Sequence, residues 1–294
     1  MSDNFSEKTI GYQLNKGAQM LETAGIDNAR AEVRFLLSEV TNLTPVVLYA
    51  MLSNELDDVT IMRYKRLLKK RATHYPLQYI IGKTYFMDMK FICREKVLIP
   101  RNDTENVVTC ALDNSPEKNI SVLDMCTGSG CIGIAYYVWR RKDGFDDDVV
   151  LADISEDALE LAKENAIQNR ARVSILHSNL FNSLKDENGK ATRKFDMILC
   201  NPPYIKSADI NYLMKDVRDY EPILALDGQR DGLAFYRAVA AEAPKFLKRG
   251  GMLIFEIGYD QYMDVAKLMK DNGFKSVKKL RDMSDLDRVV YGHL

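Results

Sequence analysis

Histidine is nearly absent from this chain: 294 residues hold three, His74, His177 and His293, far apart from one another. That scarcity speaks against a histidine-built metal centre. No apolar run approaches the roughly 20 residues of a membrane span. The opening residues, Met1-Ser2-Asp3-Asn4, carry neither the basic nor the apolar region of a signal peptide. The five cysteines (Cys93, Cys110, Cys126, Cys131, Cys200) are scattered and odd in number, and no second Cys or His pair joins Cys126 and Cys131 in a zinc site. Reduced thiols in a cytoplasmic chain are the expectation. The net charge of -1 gives no global attraction to nucleic acid. The one basic run, Lys65, Arg66, Lys69, Lys70 and Arg71, reads as the solvated face of a helix. There is no internal repeat and no low-complexity tract.

What is present is a change of pattern along the chain. Residues from about 6 to 72 read as helices, with Ile10, Leu14, Ala18 and Leu21 at helical spacing and Gly25 as a stop. Asp27 or Asn28 caps a second helix carrying Val33, Leu36, Leu37 and Val40. A third carries Val59, Met62, Leu67 and Leu68. Tyr79-Ile80-Ile81-Gly82 and Tyr85-Phe86-Met87 suggest extended segments forming a hairpin around Gly82. From about 119 onward strands and helices alternate, with strands near 120–124, 149–152, 172–176, 195–200 and 251–256. Helices follow from about 131 and from Asp157 to Asn169, and residues 274–277 and 288–291 close the chain as a strand pair. Such alternation implies an α/β fold, a doubly wound and mostly parallel sheet covered on both faces. The expected division is a small all-α N-terminal domain over 1–75, a connector with a hairpin over 76–101, and a catalytic domain over 102–294.

Two loops carry chemistry. Gly128, Gly130 and Gly133 spell G-x-G-x-x-G after the strand Ser121-Val122-Leu123, and Asp153 ends the next strand 20 residues after Gly133. The turn of Cys126, Thr127, Gly128, Ser129 and Gly130 lets a nucleotide-like cofactor approach the backbone, and Asp153 is placed to accept bonds from two ribose hydroxyls. Taken alone this also fits a dinucleotide-dependent oxidoreductase. Asp124, an acid directly before the turn, suits a ligand with a cationic sulfonium and an amino group better than a pyrophosphate. Cys126 stands where glycine is more permissive. The second loop, Asn201-Pro202-Pro203-Tyr204, follows the apolar run Phe195–Cys200. It offers an amide oxygen, a backbone carbonyl and an aromatic ring, a set that holds a flat nitrogen-bearing group. With the Asn201 oxygen and the Pro202 carbonyl accepting its N–H groups, such a nitrogen is aimed at an electrophile while its developing charge is stabilised. Tyr204 then packs against the substrate plane. Methyl transfer from S-adenosylmethionine to a planar nitrogen uses both loops, which neither an oxidoreductase nor a plain cofactor-binding protein does.

The chain resembles the release factor glutamine methyltransferases, the PrmC or HemK family. The resemblance rests on Pro76-Leu77-Gln78-Tyr79-Ile80-Ile81-Gly82, Val97-Leu98-Ile99-Pro100-Arg101 and Asn201–Tyr204, then on Glu221-Pro222, Ala225-Leu226, Asp231-Gly232-Leu233 and Phe255-Glu256-Ile257-Gly258. It implies a methyltransferase-type sheet and methylation of the glutamine in the Gly-Gly-Gln motif of peptide chain release factors. By the same resemblance Asn179 and Leu180 flank the adenine, Asn201 borders the cofactor, and Asn201, Pro202, Pro203, Tyr204 and Glu221 hold the glutamine. It implies a monomer whose partners are release factors, with no membrane and no direct nucleic-acid partner. Three positions depart from the family pattern: Cys126 for glycine, Asn179 for aspartate, and Asn102 for the proline after Arg101. Asn-Pro-Pro-Tyr loops are shared with enzymes that methylate an exocyclic nucleobase nitrogen in DNA or RNA, the nearest rival. The near-neutral charge and the Pro76–Arg101 stretch argue against that rival.

Overall fold

A computed structural model describes residues 6–294. The chain divides into two compact units. One contains the described residues through Gly82 together with Met214–Tyr220, and the other contains Lys83–Leu213 and Glu221–Leu294.

The first unit is built of α1 (Ile10–Thr23), α2 (Ala29–Thr41), α3 (Pro45–Ala50), α4 (Asp58–Ala72) and α5 (Leu77–Ile81). The Thr9 hydroxyl caps α1 by accepting from Tyr12 N, and Gly25, at φ 81°, ends it. Asn28 occupies the N-cap of α2, but its side chain makes no capping bond. The apolar stripes of α1 and α2 expected from the sequence meet Tyr64 and Leu68 of α4 in a single core. On α4 the expected stripe is rotated. Val59 and Met62 are 61% and 64% exposed, and the buried face runs Ile61, Tyr64, Leu68, Arg71. Arg71 therefore leaves the solvated basic face. Its guanidinium is buried and bonds Glu32 at 2.5 Å and Asp216 at 3.5 Å, as a buried cation must be paired. The segment Tyr79–Ile81 is the end of a short helix and not extended chain, because Gly82, at φ 71°, serves as the C-cap of α5.

In the second unit, β1 (Lys83–Phe86) and β2 (Met89–Ile92) form the hairpin, turning at Met87-Asp88 and not at Gly82. Both turn residues have positive φ, as a two-residue loop between twisted strands requires. There follow α6 (Glu105–Asp113), β3 (Ser121–Met125), α7 (Cys131–Lys142), β4 (Asp148–Asp153), α8 (Glu156–Gln168), β5 (Val173–His177) and β6 (Phe195–Cys200). The chain ends with α9 (Ala234–Phe246), β7 (Leu247–Glu256), α10 (Tyr262–Asp271), β8 (Lys275–Arg281) and β9 (Asp287–His293). The seven-stranded sheet has the order β5-β4-β3-β6-β7-β9-β8, with β9 antiparallel to both neighbours and the first five strands parallel. Alternation along each central strand feeds two cores. Val122, Leu151, Leu199 and Ile254 face α6 and α7, while Leu123, Val150, Ile198 and Leu253 face α9 and α10. The order reverses beside β3, so the loops after β3, β4 and β6 open together at the carboxyl end of the sheet, where doubly wound folds bind ligands. No helix among the described residues is long and apolar enough to cross a membrane.

Candidate active site

β3 runs into the glycine turn, and two carboxylates shape that turn. Asp124 is fully buried. Its Oδ2 accepts from the Thr127 hydroxyl at 2.5 Å and from Gly133 N at 2.9 Å, pinning the turn to the first turn of α7. Burial pushes its carboxyl up to about 7, against those two hydrogen bonds. Asp124 sits beneath the turn and does not line the cavity described below. Asp153, at the end of β4, accepts from Gly128 N through Oδ2 and from Ser155 N through Oδ1, each at 2.9 Å. Burial raises its carboxyl as well, opposed by these backbone donors. Cys126 takes up φ 59°, the left-handed conformation that costs an L-residue about 1–2 kcal/mol. The backbone path of the turn is thus kept without its glycine.

A third side chain, unnoticed in the sequence, holds the turn from behind. Asn165 of α8 is completely buried; its Oδ1 accepts from Ile92 N at 2.7 Å, and its Nδ2 donates to Ser129 O at 3.0 Å and Ile92 O at 3.3 Å. One carboxamide therefore joins the hairpin to the glycine turn.

The Asn201–Tyr204 loop leaves β6 beside this turn. Asn201 Nδ2 donates to Thr104 Oγ1 at 3.3 Å. Pro202 and Pro203 are buried. Tyr204 points inward, donating its hydroxyl to Glu256 Oε1 at 3.3 Å, and burial raises its phenol above the usual range. Gln261 Nε2 donates to Tyr204 O at 3.0 Å, and Ile205 bridges Asp227. The strap after Asp227 lies so close that a Cβ on Gly228 would stand 2.7 Å from Tyr204 Cα. Glycine is required there for the backbones to touch. Glu221 is buried and spends its carboxylate on Arg101 and Ile99 N, which shapes the Val97–Arg101 segment.

These loops surround one cavity of about 300 Å³. Of the cofactor residues expected from the sequence, Cys126, Thr127, Gly128, Ser129 and Asp153 line it, as do Asn179, Leu180 and Asn201. Asp124 and Gly130 lie behind its wall. Of the substrate residues, Asn201 and Pro203 line it, whereas Pro202, Tyr204 and Glu221 do not. Tyr204 thus braces the loop and is turned away from the position expected of a ring stacked on substrate. Sequence reasoning missed Ile99, Thr104, Ile154, Leu224 and Phe235 on the wall. Of these, only Ile99 falls in a stretch that carries the family resemblance, Val97–Arg101, and Leu224 lies just outside Ala225-Leu226. Among the described residues no group of three or more His, Cys, Asp or Glu side chains is placed to hold a metal ion.

Residues 13–82 match the PrmC N-terminal domain family, and residues 104–218 match the methyltransferase small domain family. The chain is 39% identical to the release factor glutamine methyltransferase of Geobacter sulfurreducens over 97% of both chains. It is 38% identical to the enzyme of that name from Neisseria gonorrhoeae, over 90% of this chain and 93% of the relative. A bifunctional methyltransferase of Rickettsia bellii is 34% identical, and the match spans 94% of this chain but only 53% of that longer protein. Among solved structures, SMU.776 in complex with SAH shares the fold at a TM-score of 0.50 and 11% identity, over 72% of this chain and 56% of that one. The protein-(glutamine-N5) methyltransferase of Alicyclobacillus acidocaldarius is 27% identical over 66% of this chain and 93% of its own, with a TM-score of 0.39. With near-complete coverage at such identity, and with the glycine turn and the Asn201 loop opening on a common cavity, the chain belongs to the release factor glutamine methyltransferase family.

Proposed function

We propose that the protein transfers a methyl group from S-adenosylmethionine to the side-chain amide nitrogen of the glutamine in the Gly-Gly-Gln motif of release factors. The observation that carries this reading is Asn201. Its Nδ2 is engaged by Thr104, so its Oδ1 is the end left to meet an incoming N–H at the cavity wall.

The residues present fit the cofactor. The Asp153 carboxylate lines the cavity and accepts from Gly128 N at Oδ2 and Ser155 N at Oδ1, and a carboxylate's remaining lone pairs suit a ribose diol. Gly128 has no neighbouring atom within reach of a Cβ, so its backbone is open to a ligand. Ile154 and Leu180 supply apolar wall for an adenine, with the Asn179 amide beside them. When bound, the cofactor supplies an electrophilic methyl group on a sulfonium.

The chain's own contribution is positioning. An amide nitrogen is a poor nucleophile because its lone pair is delocalised into the carbonyl. With Asn201 Oδ1 and the Pro202 carbonyl accepting its two N–H groups, the nitrogen is held in one orientation, and the positive charge that grows on it meets fixed acceptors. The buried prolines and the Gly228 contact keep those acceptors still.

A glutamine side chain is too small to identify one protein among many, so selectivity belongs to surface outside the cavity. We assign that role to the helical unit, where α3 and α4 expose Tyr49, Val59 and Met62. Action on release factors places the protein in the cytoplasm. The test is methyl transfer from tritiated cofactor to purified release factor, tRNA and duplex DNA in parallel. Label on the release factor alone is the expected result, and label on nucleic acid overturns the reading.

A further inference from the structure

The loop that carries the Asn201 oxygen and the Pro202 carbonyl cannot be fastened through its middle by backbone donation, because Pro202 and Pro203 have no N–H. Its near end is held by the sheet, where Cys200 pairs with Met125 on one side and Phe255 on the other. Beyond the loop, Ile205 N donates to Leu226 O at 3.0 Å and Gly228 N to Ile205 O at 2.8 Å, which zips the chain onto the strap. Tyr204 lies between these two holds. Its ring is tied by the hydroxyl bond to Glu256, and its backbone is tied by Gln261.

Gln261 is buried at the N-cap of α10, yet its side chain makes no capping bond to that helix. It is spent elsewhere. Nε2 donates to Tyr204 O at 3.0 Å and to Gly232 O at 3.3 Å. Oε1 accepts from Gly258 N at 2.9 Å and lies 3.3 Å from the Tyr236 hydroxyl, which shares its proton with Glu256 O at 2.9 Å. A backbone carbonyl only accepts and a backbone N–H only donates, so this carboxamide fits one way round. Its two N–H bonds and its oxygen join four segments: the Asn201 loop, the strap, the loop after β7, and α9. Glycine makes room for it on two sides. A Cβ on Gly232 would stand 2.8 Å from Nε2, and one on Gly258 would stand 2.9 Å from Oε1.

We propose that Gln261 is a positioning residue for methyl transfer, and that its carboxamide fixes the Tyr204 backbone and thereby the place where the Asn201 and Pro202 acceptors meet the substrate nitrogen. The inference rests on the glutamine-amide reading above. Gln261 does not line the cavity, so it acts through the loop alone. The cofactor end has its own supports in Asp124, Asp153 and Asn165, none of which bonds Gln261. Loosening Gln261 therefore costs rate and not cofactor affinity, because misplacing an aligned nucleophile slows the step without removing any contact to the cofactor.

Two variants test this. Gln261→Met keeps the length of the side chain and removes its hydrogen bonds. Gly258→Ala is gentler, since the nearest atoms to its added methyl group are the Gln261 carboxamide and Asp260 Oδ1, so the carboxamide is displaced while the Asn201 loop itself is untouched. In turnover of release factor, Gln261→Met should lower kcat about tenfold or more, with the KM for release factor and the calorimetric Kd for cofactor within about twofold of wild type. Gly258→Ala should lower kcat in the same direction by less. A readout independent of turnover comes from NMR of enzyme labelled with 15N-asparagine. The Asn201 side-chain amide signals, identified by their loss in Asn201→Ala, should shift or broaden in both variants, while those of Asn165 stay in place. Wild-type kcat in both variants, cofactor affinity that falls in step with kcat, or unmoved Asn201 signals overturns the proposal. Should Gln261→Met fail to fold, Gly258→Ala decides by the same readings. Should the wild-type enzyme leave the release factor glutamine unmethylated, the functional reading falls, and the NMR comparison still decides whether Gln261 holds the loop.

Discussion

Replacing Asn165 by leucine removes polarity from the back of the glycine turn while keeping nearly the same shape. Two well-formed bonds disappear, to Ile92 N at 2.7 Å and to Ser129 O at 3.0 Å, along with a longer one to Ile92 O. A typical net hydrogen bond contributes about 0.5–1.5 kcal/mol, and a buried group left without a partner costs about 1–3 kcal/mol. The site is fully buried, so no water relieves the Ile92 N–H or the Ser129 carbonyl. The expected destabilisation is about 2–4 kcal/mol. Urea unfolding followed by tryptophan fluorescence reads it in the correct unit, because the single tryptophan, Trp139, lies on α7. The same substitution frees Ser129 in the cavity wall, so calorimetry should show cofactor affinity falling several-fold. Asn165→Asp should be at least as damaging, since its carboxylate would face the Ser129 carbonyl. An Asn165→Leu chain within about 0.5 kcal/mol of wild type would refute the claim that this carboxamide ties the hairpin to the turn.

Asn201→Ala should cut kcat about 100- to 1000-fold, the usual cost of a lost transition-state hydrogen bond, with cofactor binding by calorimetry nearly intact. Asp153→Ala should weaken cofactor binding by about 1.5–3 kcal/mol, the worth of hydrogen bonds to a charged group; an unchanged Kd would remove Asp153 from the ribose site. The Asp124 carboxyl is raised in the fold to about 7. Between that value and the ordinary carboxylate range the folded chain binds a proton that the unfolded chain has lost, so this group lowers stability as pH rises through the window. Urea midpoints from about pH 5 to about pH 8 should therefore fall more steeply in wild type than in Asp124→Asn, and coincident slopes would contradict the assignment. Tyr49→Ser combined with Met62→Ser on the exposed face of the helical unit should slow methylation of intact release factor while sparing a short Gly-Gly-Gln peptide.

The sequence made the parallel sheet and both loops legible because each is a local signal. The glycine turn, Asp153 and the Asn201 loop stand directly at strand ends, where a short motif specifies its own geometry. Reading failed where one residue type serves two conformations. Gly82 looked like the centre of a hairpin and is the C-cap of α5, while the true turn uses Met87 and Asp88 at positive φ with no glycine to announce it. Val59 and Met62 were one step off the buried face of α4, a rotation that only packing against Tyr64 and Leu68 decides. Asp124 and Tyr204 were recognised as part of the site, but their direction was not. Both turn into the protein and support the loops from behind. The remaining supports were illegible for a physical reason. Asn165 reaches a strand 73 positions earlier and Asn201 a hydroxyl 97 positions earlier, contacts that exist only once the sheet has closed.

The central claim is that this cavity methylates the amide nitrogen of one glutamine. The measurement that tests it most directly is tandem mass spectrometry of a release factor incubated with the enzyme and methyl-deuterated S-adenosylmethionine. A single labelled methyl group is expected on the side chain of the Gly-Gly-Gln glutamine, and none when that glutamine is replaced by alanine. An unmodified glutamine, or label on another residue, would contradict it.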